Sequence, residues 1–526
     1  MKQWKRLSHL LVLLFLIGTL CLGTLCSCDS APADTPGTDA VTETDDGKSA
    51  ITYSIGRGGG GRIEGWNSQH GLPGETAAQE VTALPKFGYR FAGWSDGMTE
   101  PTRRDVFGEE DKHITANFTF DRKNLPIISI TTSTGKDVTS KDTYIGATVS
   151  VCNTGNVDWE LSGAAAEIKG RGNGTWTYNK KSYRLHFEQK QNLLGLGTAE
   201  DRTWILMANH ADRSMLRNYL AIDLINRIPG MDYNNHATHV EVYLNGEYHG
   251  VYMLAEQIQV DAHRVDIGQD TLADPEAEDA GFLVEMDEYA PEETNFFYVE
   301  GKPYLIKSDV LNDTQFAYIK NYITEVDAAI RSGDRQRMEE LIDLDSFVNG
   351  YIVEEFFKNL DAGWSSFYMH KKPGEKMIVG PFWDFDLAAG NNISLDNGDH
   401  EGIYVGRRLG FSQRHIWYTQ ITDYAWFREL AIARWNELLP YIDETIAHAN
   451  SFLDMPTDAF DRNYEVWPMS EYFWHFTEEI FSFTTWHEHA ADLCSWLQNR
   501  RDWLNDYFAR EDALIFDSYE RPHGRH

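Results

Sequence analysis

The chain has 526 residues, 42% of them hydrophobic and 24% charged, an ordinary globular mixture. That length suits roughly two to four domains. Lys and Arg total 47 against 81 Asp and Glu, a formal charge of −34 at pH 7. This argues against a nucleic-acid partner, whose phosphates need cations, and against bulk attraction to anionic lipid.

The first residues read as an export leader. Lys2, Lys5 and Arg6 precede an apolar run from Leu10 to Leu22, too short for an ordinary spanning helix. Leu25-Cys26-Ser27-Cys28 resembles a bacterial lipobox. The resemblance implies a signal peptide over 1–27, a lipid on Cys28, and an extracytoplasmic lipoprotein anchored at the bacterial cell surface. Losing residues 1–27 removes three cations and no acid, so the mature charge is −37. Residues 28–50 are rich in Asp, Thr, Pro, Ala and Gly and read as a flexible tether. Beyond the leader only Cys152 and Cys494 remain. An exported chain could pair them, and sequence leaves that open. The mature body has no CxxC pair, which argues against a Cys-built zinc site.

Residues 51–120 alternate short apolar runs with turn residues, the pattern of a small β fold. The stretch Gly88-Tyr89-Arg90-Phe91-Ala92-Gly93-Trp94-Ser95-Asp96-Gly97 and the closing Ile114-Thr115-Ala116-Asn117-Phe118 resemble the bacterial surface repeat of internalin B. That resemblance implies a β-grasp-like spacer or adhesion module. Gly58 to Gly61 reads as a flexible turn, because no Lys-Ser/Thr follows to complete a phosphate cradle.

From about 125 the chain reads as strands at 125–130, 164–169, 181–187 and 204–207, then a helix over 215–225. Lys181 alternates with Tyr183, Leu185 and Phe187, an apolar face on which a Lys calls for an anion or a route to solvent. Val240, Val242 and Leu244 lead to Asn245-Gly246, a type I′ turn signal, and the return strand ends at Glu256. A strand follows over Gly281–Asp287, and from about 312 the pattern turns helical. The order predicts an α+β domain in two lobes, β-rich then α-rich, over 125–515, with a disordered tail at 516–526.

The second half holds the sharpest constellation. Asp345 is placed to cap a helix with apolar positions Phe347, Tyr351, Ile352, Phe356 and Leu360. After Asp361 comes a hairpin: strands at 366–370 and 377–380 around a Lys372-Pro373-Gly374-Glu375 turn. A hairpin returns its ends to one place, so Asp361 and Asp384 should lie near each other. Two acids there invite a divalent cation shared with substrate phosphates, or are simply turn-forming Asp side chains. Protein kinases have the same order of parts, a catalytic-loop Asp, a short hairpin, then a magnesium-binding Asp. The usual kinase signatures are absent.

Four motifs carry a closer resemblance. They are 169–176 (KGRGNGTW), 180–185 (KKSYRL), 245–252 (NGEYHGVY) with Glu256-Gln257-Ile258, and 380–386 (GPFWDFD). Together they resemble the CotH kinase family, named after spore coat protein H. The resemblance implies a two-lobed atypical protein kinase, using ATP with Mg²⁺ (or Mn²⁺) to phosphorylate Ser on surface or coat proteins. It makes Asp361 the catalytic Asp that orients or deprotonates the acceptor hydroxyl and Asp384 the metal ligand, with Asp386 either assisting it or on the surface. Lys169, Arg171 and Lys181 become candidates for the nucleotide phosphates. Glu256 is a candidate partner of that lysine or of the metal, and Glu285 to Asp287 a candidate hinge beside adenine. One departure stands out: ordinary kinases have Asn five residues after the catalytic Asp, and here that position is Ser366.

An extracytoplasmic address raises the question of where ATP comes from. The competing reading is a catalytically silent surface scaffold or adhesin that binds proteins or glycans. The many C-terminal aromatics read as helical core rather than sugar platforms, since Tyr424, Phe427 and Ala431 fall at helical spacing. His487-Glu488-His489 reads as polar surface, because alternate residues diverge on a helix.

Overall fold

The computed structural model describes residues 47–516, except 87, 121–124, 198–199, 269–278, 311, 407–415, 457, 471–472 and 474–475. The leader with Cys28, most of the tether, and the tail from 517 lie outside the described residues.

Seven strands build the N-terminal module: β1 (Ser49–Ile55), β2 (Gly61–Glu64), β3 (Ser68–Gly71), β4 (Val81–Pro85), β5 (Tyr89–Trp94), β6 (Thr102–Arg103) and β7 (Lys112–Phe120). They form sheets ordered β3-β1-β7-β5 and β2-β4-β6. Alternation sends Ile51, Tyr53, Ile114 and Ala116 into one small core with Val81 and Trp94. Arg103 is buried over the Trp94 ring at 5.0 Å and pairs with Asp96 and Asp105 at 2.6 Å each. The Gly-Trp-Ser-Asp stretch thus has a structural reason. The module also packs on the rest of the chain: Phe120 and Tyr89 meet His448 at ring distances of 4.7 and 5.8 Å.

The next strands are β8 (Ile127–Thr132), β9 (Ile145–Cys152), β10 (Leu161–Arg171), β11 (Ser182–Gln191) and β12 (Asp201–Met207). Helix α1 (Arg217–Ile225) precedes the hairpin β13 (Ala237–Leu244) and β14 (Glu247–Glu256). Asn245 and Gly246 both have positive φ, +52° and +87°, as a type I′ turn requires. All these strands close into a barrel ordered β10-β11-β12-β14-β13-β8-β9. Ile168, Leu185, Phe187, Trp204, Leu206 and Leu254 fill it. Ile205, Met207, Val251 and Met253 point the other way, into a second and larger core. Strands buried on both faces lose the polar half of their alternation, which accounts for the continuous apolar runs there.

The rest comprises β15 (Phe282–Met286), β16 (Phe296–Val299), β17 (Lys302–Ile306), α2 (Asp313–Ser332), α3 (Arg335–Leu341), α4 (Leu344–Phe357), β18 (Phe367–Lys371) and β19 (Ile378–Phe382). Helices α5 (Ile416–Ile421), α6 (Ala425–Ser451), α7 (Asp458–Val466) and α8 (Trp486–Phe508) complete it. The domain is α+β: a β-rich region with a barrel, then a mainly helical part.

Four expectations are corrected. Strand β15 does not join the β-rich half; its sheet runs β16-β17-β15-β18-β19, beside the hairpin of the second half. Strands β9, β16 and β17 were not apparent, because Gly, Ala and Ser dilute the period of β9 and the other two have at most five residues each. Asp343, not Asp345, caps α4: its carboxylate accepts the Ser346 N–H at 2.7 Å, while Asp345 pairs with Arg434. His489 is buried rather than surface, and Glu488 closes a capping box with Thr485. Cys152 and Cys494 are both free. Trp417, Trp435 and Trp486 are fully buried, so these C-terminal aromatics are core. No described helix is long and apolar enough to cross a membrane.

Candidate functional site

A cavity of about 420 Å³ opens where the barrel meets the second sheet. Its barrel side begins at the end of β10, where Arg171 leads into Gly172-Asn173-Gly174-Thr175. A Cβ on Gly170 would lie 2.0 Å from the Trp176 ring, so that ring folds over the strand only because residue 170 is glycine. Lys181 Nζ donates to the Trp176 carbonyl at 2.6 Å and braces this loop. On β11, Tyr183 and Leu185 fill the barrel, and the opposite face presents Ser182 and Arg184 to the cavity.

The other side is acidic. Pairing of β15 with β18, Met286 opposite Phe367, sets Glu285 and Asp287 beside the segment after Asp361. Asp287 Oδ1 accepts the Ser365 hydroxyl at 2.6 Å. Helix α4 ends on Lys358 in the left-handed region (φ +45°), and the chain turns to Asp361, whose N–H donates to Asn359 Oδ1 at 3.2 Å. The β18–β19 hairpin then returns Asp384 to the same cavity, where the Ser366 hydroxyl donates to its Oδ2 at 3.3 Å. Helix α1 fixes the following segment. Asn218 Oδ1 accepts the Phe385 N–H at 2.6 Å, and Arg217 donates to the carbonyls of Ala388 and Ala389.

Charge is crowded here. Burial pushes the Asp384 carboxyl up against the pull of Arg171. Burial pushes Asp386 well above the usual carboxylate range, and the neighbouring Asp384, Asp361 and Asp212 add to it. Burial raises Glu285 although Lys307 sits 3.0 Å away, and burial lowers the Arg171 guanidinium despite Asp384. Such a site favours an added cation on its acidic side and an anion beside Arg171 and Arg184.

A family model described as CotH kinase protein matches residues 168–504. The chain belongs to the CotH kinase family. A second model, the divergent InlB B-repeat domain, matches residues 51–122. No curated protein matches the chain.

Within this CotH kinase domain, the cavity brings together Asp361, Asp384, Asp386, Arg171, Glu285 and Asp287. Three expected residues lie elsewhere. Lys169 stacks on Tyr144 at 4.8 Å; it shares a face of β10 with Arg171, but only Arg171, two residues on at the end of the strand, lines the cavity. Lys181 precedes β11 and holds the Trp176 carbonyl instead of sharing the apolar face. Glu256 is buried at the far end of β14, accepting from the N–H of His236 and the hydroxyl of Tyr233. Nor does β15 have a free edge to offer a base: Val284, Glu285 and Met286 pair with β17 on one side and β18 on the other. Its contribution to the cavity is the side chains of Glu285 and Asp287.

Arg184, Lys180, Lys307 and Ser366 line the cavity or bond its acids and were not singled out from sequence as site residues, though Ser366 was noted for its position. The polar face of β11 was the available signal for Arg184. Among the described residues no group of three or more His, Cys, Asp or Glu side chains could hold a metal by itself. A hard divalent cation bound with a nucleotide needs only one or two carboxylates beside the phosphate oxygens. Asp384 and Asp386, both pushed up by burial and set among other acids, fit that demand.

Proposed function

We propose that this CotH-family protein is an exported, cell-surface, two-lobed atypical kinase that transfers the γ-phosphoryl group of ATP to Ser on surface or coat proteins. The observation that carries this reading is the convergence of Asp361 and Asp384 on one cavity whose opposite side bears Arg171 and Arg184. Arg171 and Arg184 bind the phosphates and offset their developing charge. Asp384 and Asp386 would hold Mg²⁺, which neutralises phosphate charge when bound. Asp361 orients the acceptor hydroxyl and takes its proton as the Ser Oγ–phosphorus bond forms and the bond to the leaving ADP oxygen breaks. The leader and the InlB-type repeat support a surface location.

Calorimetry of ATP binding with and without Mg²⁺, with labelled phosphate incorporation, tests the reading. Wild type is expected to bind and transfer, Asp384→Ala to lose Mg²⁺-dependent binding, and Asp361→Ala to bind without transferring. A wild type that neither binds Mg²⁺–ATP nor labels itself or any surface protein leaves the scaffold reading in its place.

A further inference from the structure

Among the described residues, the cavity wall holds three buried side-chain atoms with no hydrogen-bond partner: Arg171 Nε, Arg184 Nε and Asn209 Nδ2. All three are nitrogens that donate. Strand pairing sets them side by side at one end of the barrel. Arg171 lies opposite Ser182, and Arg184 follows two residues later on the same face of β11. The Ser182 hydroxyl accepts the N–H of Ala208 at 3.0 Å, which brings Asn209 up beside them. A buried donor left unpaired is costly, so a group of them calls for an acceptor with several oxygens.

Asn209 is the uncharged member. It follows β12, is 6% exposed, and takes a left-handed backbone (φ +46°) that Asn tolerates. Its carbonyl accepts the Asp212 N–H at 3.1 Å, and Asp212 is tied to Arg217 at 2.6 Å, so the turn is held in place. A neighbour sets the orientation of the amide. Asn218 Oδ1 accepts the Phe385 N–H at 2.6 Å, which leaves Asn218 its NH₂ to offer, and Asn209 Oδ1 accepts that NH₂ at 3.1 Å. What Asn209 has left over is therefore a donor. The same two bonds link Asn209 to the backbone between Asp384 and Asp386.

We propose that Asn209 is a phosphate-binding residue: its Nδ2 donates to an oxygen of the nucleotide's phosphate chain, held between Arg171 and Arg184 on the barrel side and the cation of Asp384 and Asp386 on the other. This rests on the kinase reading of the site. An uncharged donor suits that place. A third guanidinium there would repel the cation, whereas an amide holds a phosphate oxygen without opposing it.

The test is calorimetry of Mg²⁺–ATP binding at pH 7 on the full chain, with the melting temperature of each variant measured without nucleotide. Asn209→Gly suits the left-handed backbone and removes the donor; Mg²⁺–ATP should bind about ten-fold more weakly. Asn209→Asp keeps the acceptor for Asn218 and puts a carboxylate oxygen where the donor was. It should weaken binding about a hundred-fold or more. A metal ligand would behave in the opposite way, since a carboxylate holds Mg²⁺ better than an amide does. Both variants should melt well above the assay temperature, which makes the loss one of binding. Binding within about three-fold of wild type in both variants, or in Asn209→Asp alone, overturns the proposal and leaves the kinase reading intact. So does a loss of binding matched by unfolding of both variants at the assay temperature. A wild type that binds no Mg²⁺–ATP overturns both.

Discussion

Ser366 and Asp384, eighteen residues apart, both sit in the left-handed backbone region (φ +59° and +68°) and meet through a hydrogen bond from the serine hydroxyl to Asp384 Oδ2. The residue in the position of the second metal-binding Asn of ordinary kinases thus acts on the first metal-ligand candidate instead. Ser366→Ala removes the donor that orients Asp384. A hydrogen bond to a charged group is worth about 1.5–3 kcal/mol, so Mg²⁺–ATP should bind about ten-fold more weakly or worse by calorimetry. Ser366→Asn suits the left-handed backbone and should keep binding within about three-fold of wild type.

Gly170→Ala tests the loop without removing a charged side chain. The added Cβ meets the Trp176 ring at 2.0 Å, so the ring and the loop from 171 to 176 must shift. We expect KM for ATP to rise about ten-fold with only a small change in melting temperature, because the loop borders the cavity rather than the core.

Lys180 is buried, with its Nζ donating to the carbonyls of Ala208 and Val251 and to Asn463 Oδ1 on α7. Burial pulls its pKa well down, yet three acceptors suit the three N–H groups of an ammonium. Lys180→Met fills the space and strands those acceptors, so urea unfolding should show a loss of about 3 kcal/mol.

Docking of the repeat module centres on Asp223. It is buried, which by itself raises its pKa, but Arg227, His448 and the module's Lys86 hold it well below the usual carboxylate range. A depressed folded pKa adds stability above the unfolded value and loses it as pH falls through the folded one. The Asp223 cluster should therefore keep its contribution to folding stability through mild acid and lose it only below the ordinary carboxylate range, as followed by melting temperature across pH. Tyr89→Ala, which removes the ring packed on His448, should destabilise by about 3 kcal/mol in urea unfolding.

The local chemistry was legible in the chain. The Asn245-Gly246 turn, the hairpin after Asp361 and the amphipathic runs each follow from residues near one another in sequence, and they predicted the meeting of Asp361 and Asp384. What failed depended on non-local pairing. Whether Lys169 or Arg171 reaches the cavity turns on where β10 ends. That β15 lacks a free edge turns on β17, a five-residue strand too short to be seen.

The sequence by itself determined the α+β order of parts and the pair of aspartates, which rest on periodicity and short-range turn chemistry, and its motifs carried the resemblance to the family and to the repeat module. Only the tertiary structure decided which cations face the cavity, that Lys181 braces a loop, and that the module docks on Asp223. Burial and charge proximity are properties of packing between distant segments, and they determine where a charged side chain carries function.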